Sequence, residues 1–209
     1  MRDRESQNRY GPDVSRRGFL KGSGVAVAAT AMTAAVNEAI AEEKAADAKV
    51  ASAKAQEVTL SVNGKEHTLK LEPRVTLLDA LRDDLKLTGC KEVCTTTNCG
   101  ACTVLIDGKP VYACSRLAIA EQGKKITTVE ALTAGGKTDD VIQCFIKHDA
   151  TQCGYCTPGF VVATRAFCDA HPGASLEDVQ KGLGGNICRC GTYAGVIAAA
   201  LECAKGGAK

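Results

Sequence analysis

The stretch Cys94-Thr95-Thr96-Thr97-Asn98-Cys99-Gly100-Ala101-Cys102 spaces its cysteines as C-x4-C-x2-C, and Cys114 follows on the next predicted hairpin. This is the plant-type spacing for a [2Fe–2S] cluster. Such a cluster needs four thiolates converging on one small volume, with backbone N–H groups turned toward the sulfurs. A loop bracketed by Gly89 and Gly100 can turn that way, because glycine reaches positive φ at little cost. Zinc also accepts four thiolates, but its sites usually repeat two close pairs, whereas here three cysteines share one loop. Cys90 competes for the first place. Its gap to Cys99 is too long for the x4 spacing, so Cys94 fills that place and Cys90 reads as a neighbour.

Outward from this loop the pattern is α+β. Glu57 to Val62 alternates apolar and polar, Asn63-Gly64 is a two-residue hairpin signal, and Glu66 to Leu71 returns as a second strand. Leu77, Leu78, Leu81 and Leu85 share one helical face, with Thr76 as N-cap. After the cysteine loop, Thr103–Ile106 and Val111–Ala113 flank Asp107-Gly108 as another hairpin, and Ile126–Val129 reads as a closing strand. A small domain over residues 57–132 is expected, with Thr133–Lys137 as a linker.

Residues 138–205 read as helices: Asp139–His148, Pro158–Ala170, Ser175–Leu183 and Ala194–Ala204. Thr157-Pro158 supplies N-cap and Pro at N1, and Ser175 with Asp178 resembles a capping box. Cys153-Gly154-Tyr155-Cys156 precedes the second helix, and Cys188-Arg189-Cys190 the last. A lone CxxC is weak, since a redox dithiol or half a zinc site would read the same way. The C-x-C partner adds information. On a continuous helix, residues two apart diverge by about 200°, so Cys188 and Cys190 need irregular backbone to face one site. Gly184-Gly185-Asn186 before them and Gly191 after supply it. The helix beginning after Cys156 would turn its positive end toward that site, favouring an anionic four-thiolate centre.

The plant-type loop followed by C-G-x-C-T-P-G (Cys153 to Gly159) and C-R-C-G (Cys188 to Gly191) resembles the iron–sulfur subunits of the molybdenum hydroxylases, the xanthine dehydrogenase and aldehyde oxidoreductase family. The likeness runs from about Glu57 to Ala204, and the twin-arginine leader described below brings it nearest to periplasmic aldehyde oxidoreductases. It implies a β-grasp ferredoxin domain followed by a four-helix bundle. It implies two [2Fe–2S] clusters, one on Cys94, Cys99, Cys102 and Cys114, the other on Cys153, Cys156, Cys188 and Cys190. The second would take electrons from a large molybdenum-pterin subunit acting on aldehydes or N-heterocycles. The first would pass them to an FAD subunit or another acceptor. The resemblance places Gln152 and Cys190 against the partner's molybdopterin and gives this chain no catalytic residue. Members of the family usually carry glycine where Val93 and Thr97 stand, so the surroundings of the first cluster are expected to differ.

Residues 1–41 read as an export signal: Ser15-Arg16-Arg17-Gly18-Phe19-Leu20-Lys21 is a twin-arginine pattern, an Ala-rich apolar stretch follows, and Ala39-Ile40-Ala41 offers a cleavage point. Residues 42–56 are Ala, Lys and Glu without a core pattern, hence a linker. Export by the twin-arginine machinery carries folded protein, which would bring clusters to the periplasm intact; six disulfides would be the rival use of twelve cysteines there. Cys144, Cys168 and Cys203 lie among apolar helix residues and read as core, although a Cys144–Cys168 disulfide would suit an oxidising compartment. His67, His148 and His171 form no spaced set. The 209 residues carry a formal charge of +2 without a basic stripe, which gives no argument for nucleic acid, and no apolar run is long enough to span a bilayer in the mature chain. Aromatic residues make up only 4% and Trp is absent, so the cores should be thin and in need of staples. A free-standing periplasmic two-cluster ferredoxin is the alternative reading.

Overall fold

The computed structural model describes residues 52–136 and 138–206; the twin-arginine pattern and the position of Lys137 lie outside them. Strands β1 (Gln56–Val62) and β2 (Lys65–Leu71) form the predicted hairpin, with Asn63 and Gly64 at φ 52° and 79°, as a primed turn requires. β3 (Thr103–Ile106), β4 (Lys109–Tyr112) and β5 (Lys125–Thr127) complete a five-stranded sheet in the order β2-β1-β5-β3-β4. β1 and β5 run parallel, and the other neighbouring pairs are antiparallel.

One face of this sheet carries Val58, Leu60, Val62, Val104, Ile106 and Ile126, all buried with Leu77, Leu78 and Leu81. The predicted helix after Thr76 is present but not uniform. A short α1 (Leu77–Asp79), closed by a capping box between Thr76 and Asp79, passes into a π-helical turn over Ala80–Asp84. There Leu85 N–H reaches Ala80 O at 3.1 Å, and Leu87 N–H reaches Leu81 O at 2.8 Å. The last expected strand is also shorter: it ends at Thr127, and Val129–Gly136 coils into 3-10 turns kinked at Ala134 and Gly135.

The remaining helices are α2 (Asp140–Lys147), α3 (Thr157–Ala170), α4 (Leu176–Gly182) and α5 (Tyr193–Ala204). They enclose a second core of Val141, Phe145, Phe160, Phe167, Val179 and Val196, in which Ala199 and Ala200 let α5 approach closely. α3 is buried on two sides. Phe160 and Phe167 face the helical core, while Val162 and Ala166 pack on Leu105 of β3. All four residues of β3 are therefore buried, as expected of a strand covered on both faces. Sheet and helices thus share a seam, and both cysteine sets lie at its end. Among the described residues no helix is long and apolar enough to cross a membrane.

Candidate metal centres

The first cysteine set is built on a loop and a tight turn. Cys94 and Cys99 lie in the loop, Cys102 one residue before β3, and Cys114 in a 3-10 turn (Ala113–Ser115) directly after β4. Thr95 and Thr97 adopt left-handed conformations, at φ 55° and 66°. Alternating backbone of this kind turns successive N–H groups inward to form an anion-binding concavity. The Thr96 N–H points at Cys94 Sγ from 3.5 Å. That donor, followed by the N–H of Asn98, pulls the Cys94 thiol down to about 6. Cys94 also stands beside Cys99, and Cys102 beside Cys114. Burial pushes Cys102 up to about 12. Cys90, buried beside this set, donates its thiol to Cys102 O at 3.3 Å, and burial pushes its own ionisation far up.

The two glycines expected to bend this loop act differently. Gly100 is left-handed (φ 69°), and a Cβ there would stand 2.6 Å from Asn186 Nδ2. Gly89 has no positive φ. It is needed for room, because a Cβ would lie 2.3 Å from Val129 Cγ1, and its N–H donates to Glu130 Oε1 at 2.8 Å.

The second set comes from two loops that abut the N-termini of α3 and α5. Cys153 lies beside Cys190 and Cys156 beside Cys188, again as two side-chain pairs. Gly154 and Gly191, at φ 79° and 81°, give the irregular backbone that the C-x-C spacing requires. Cys156 is the N-cap of α3, so the positive end of that helix abuts this set. Burial pushes Cys156 up to about 11. Burial acts on Cys188 too, but hydrogen bonds from the Thr192 hydroxyl and backbone outweigh it and bring the thiol down to about 6. Cys153 and Cys190 are exposed, as is Gln152 beside them.

Iron–sulfur clusters fit these donors. Two thiol pairs per set suit a cluster whose two irons divide four thiolates between them. Thiols held protonated by burial, such as Cys102 and Cys156, would release protons as metal binds.

The sets are tied together by hydrogen bonds between their loops. Ile187 N–H donates to Cys99 O at 2.9 Å, and the buried Asn186 amide donates to Gly100 O at 2.9 Å. The Tyr112 hydroxyl donates to Gly185 O at 2.7 Å. Between the sets lies an apolar cleft of about 340 Å³, lined by Val93, Cys99, Ala101, Tyr155, Cys156 and Ile187. Lys91 Nζ sits 5.7 Å from the centre of the Tyr155 ring.

Sequence reasoning took Asn186 only as irregular backbone, not as a side chain bridging to Gly100, and missed Ile187, Thr192 and Tyr193. The Tyr193 hydroxyl accepts from Cys188 N–H at 2.8 Å and donates to Cys188 O at 3.2 Å. The only signal in the sequence was position: hydroxyl residues within five places of a cysteine at a helix start. Cys168 stands beside Cys203 in the helical core.

Residues 60–133 match the family model of a 2Fe-2S iron-sulfur cluster binding domain, and residues 128–201 that of a [2Fe-2S] binding domain. The aldehyde oxidoreductase iron-sulfur-binding subunit PaoA of Escherichia coli K12 is 37% identical over 206 residues, covering 91% of this chain and 88% of that protein. The chain belongs to the iron–sulfur subunits of the aldehyde oxidoreductase and xanthine dehydrogenase family. The nicotinate dehydrogenase small FeS subunit of Eubacterium barkeri is 40% identical over 142 residues, 68% of this chain and 90% of that one. Quinoline 2-oxidoreductase of Pseudomonas putida 86 superposes with a TM-score of 0.68 at 37% identity, over 74% of this chain and 99% of the matched one. As a member of this family of iron–sulfur subunits the chain carries two [2Fe–2S] domains and transfers electrons within an oxidoreductase complex. Residues 13–33 match the twin-arginine translocation pathway signal sequence, which marks the chain for that export route.

Proposed function

We propose that this subunit relays electrons from a molybdenum-pterin subunit through the cysteine set of the helical half to that of the sheet half, and from there to an FAD subunit or another acceptor. Cys153, Cys156, Cys188 and Cys190 would hold the cluster nearer to molybdenum, and Cys94, Cys99, Cys102 and Cys114 the outer one. Bound there, the clusters supply one-electron storage and transfer. The chain's own residues hold, shield and connect. Thr96 N–H and Tyr193 fix the sulfur-bearing residues of each set, and Val93, Ala101 and Ile187 keep the space between them apolar. The observation that carries this reading is the hydrogen bond from Ile187 N–H to Cys99 O, which links a residue next to one set directly to a member of the other.

The fold is read as a β-grasp ferredoxin domain over 57–132 and a four-helix bundle over 138–205. An export signal over 1–41 and a linker over 42–56 would deliver them to the periplasm. The exposed Gln152 and Cys190 are the surface offered to the partner's molybdopterin. Relatives named for nicotinate, nicotine and aldehydes share this subunit's pattern, so the choice between aldehyde and N-heterocycle belongs to the partner. The aldehyde oxidoreductase of Desulfovibrio desulfuricans supports such a partner, since this chain covers only 17% of that polypeptide.

Metal analysis of the complex purified from its native periplasm tests the assignment. Iron to molybdenum of about four to one is expected for two [2Fe–2S] clusters beside one molybdenum. Cys114→Ser and Cys156→Ser should each remove one of two distinct reduced-state EPR signals and about half of the iron. Iron without molybdenum would leave a free-standing two-cluster ferredoxin; full iron in either variant would overturn the ligand assignment.

A further inference from the structure

Thr192 stands at the N-cap of α5, where a threonine ordinarily turns its oxygen to accept an N–H of its own helix. It makes no such bond. Its side chain is turned the other way, and the hydroxyl donates to Cys188 Sγ at 3.1 Å. The residue is only 7% exposed, so water competes little for that hydrogen. Cys188 is equally fixed: it is 6% exposed, and Tyr193 grips its backbone on both sides. The helix therefore forgoes a cap, and the hydroxyl serves the sulfur instead. Among the described residues no other side-chain hydroxyl donates to a sulfur of either cysteine set. Around Cys94 the donor is a backbone N–H, and the Thr95 hydroxyl goes to Cys94 O rather than to sulfur.

We infer that Thr192 is a positioning residue that sets the reduction potential of the helical-domain cluster. A hydroxyl hydrogen bonded to a ligand sulfur strengthens as negative charge builds on the cluster, so it stabilises the reduced form and raises the potential. A higher potential there favours withdrawal of electrons from the partner's site and lowers the driving force for the next hop toward Cys99. The inference rests on the reading of Cys188 as a cluster ligand. That premise is tested separately by Cys188→Ser, which should abolish the second signal whatever Thr192 does.

The test is an anaerobic, EPR-monitored redox titration of the intact complex carrying Thr192→Val, Thr192→Ala or Thr192→Ser. Val and Ala should keep full iron and lower the reduced-to-oxidised ratio of the second cluster about tenfold at fixed potential, which is 59 mV for a one-electron couple. The first cluster should not move, and Ser should restore most of the shift because it keeps the hydroxyl. An unchanged midpoint in Val and Ala, or an equal shift of both clusters, would overturn the inference. Loss of iron from the second site in both Val and Ala, with retention in Ser, would overturn it as well. That outcome would make the hydroxyl a requirement for holding the cluster rather than a setting of its potential.

Discussion

Thr95 and Thr97 hold left-handed conformations that a β-branched residue adopts only under constraint. The constraint is visible: the loop must present the N–H of Thr96, and that of Asn98 after it, to Cys94. For an L-residue the left-handed region costs roughly 1–2 kcal/mol, a cost glycine largely escapes while losing more chain entropy on folding. Thr97→Gly is therefore expected to stabilise the chain by about 1 kcal/mol, a rise of about 2–4 °C in unfolding temperature, with iron content unchanged. Thermal unfolding of the purified complex checks it, and a fall in temperature would mean that the Thr97 side chain contributes more than its backbone strain removes.

Two helices carry local devices with measurable consequences. α4 begins at Ser175, whose hydroxyl accepts from Asp178 N–H at 3.3 Å while Asp178 Oδ2 accepts from Ser175 N–H at 3.0 Å. Hydrogen bonds from the Ser175 side chain, and then from its backbone, hold the Asp178 carboxyl below its ordinary value. A depressed carboxylate contributes stability that is fully present above its unfolded value and is lost as pH falls through the folded one. Ser175→Ala should unfold at a lower temperature than the natural chain at neutral pH. The gap should close as pH is lowered through the carboxylate range, which calorimetry at stepped pH would follow. A gap independent of pH would assign the effect to the hydroxyl alone. α3 carries the other device: as an N-cap with Pro158 just inside the helix, Cys156 is delivered at the positive end of a fourteen-residue helix.

At the scale of the molecule, the seam depends on glycines and one buried amide. A Cβ on Gly159 of α3 would stand 2.4 Å from Gly100 O, in the loop of the first set. Backbone cannot yield as a flexible side chain does, so Gly159→Ala should force the two cysteine loops apart and destabilise by about 1–3 kcal/mol. Calorimetry should give a lower transition, and electron passage between the clusters should slow as the Ile187–Cys99 bond lengthens. An unchanged transition would mean that α3 shifts freely on β3, against the packing of Leu105 on Val162 and Ala166.

Sequence alone determined the local features. Asn63-Gly64 carried a hairpin, Ser175 with Asp178 a helix start, and the C-x4-C-x2-C, CxxC and C-x-C spacings the local cysteine motifs, because each rests on neighbours a few positions apart. The same locality explains the misses within elements: the π-helical turn after Asp79 and the early end of β5 follow from packing that periodicity does not record. Only the tertiary structure decided how the halves meet. Nothing in the order of residues announces that Asn186 reaches Gly100, that Gly159 is small for the sake of a carbonyl on another loop, or that Thr192 gives its hydroxyl to a sulfur rather than to its own helix. Those contacts join residues far apart in the chain, or choose among several donors within reach. Both are settled by the shape of the packed seam, whereas spacing along the chain records only which cysteines lie close in sequence.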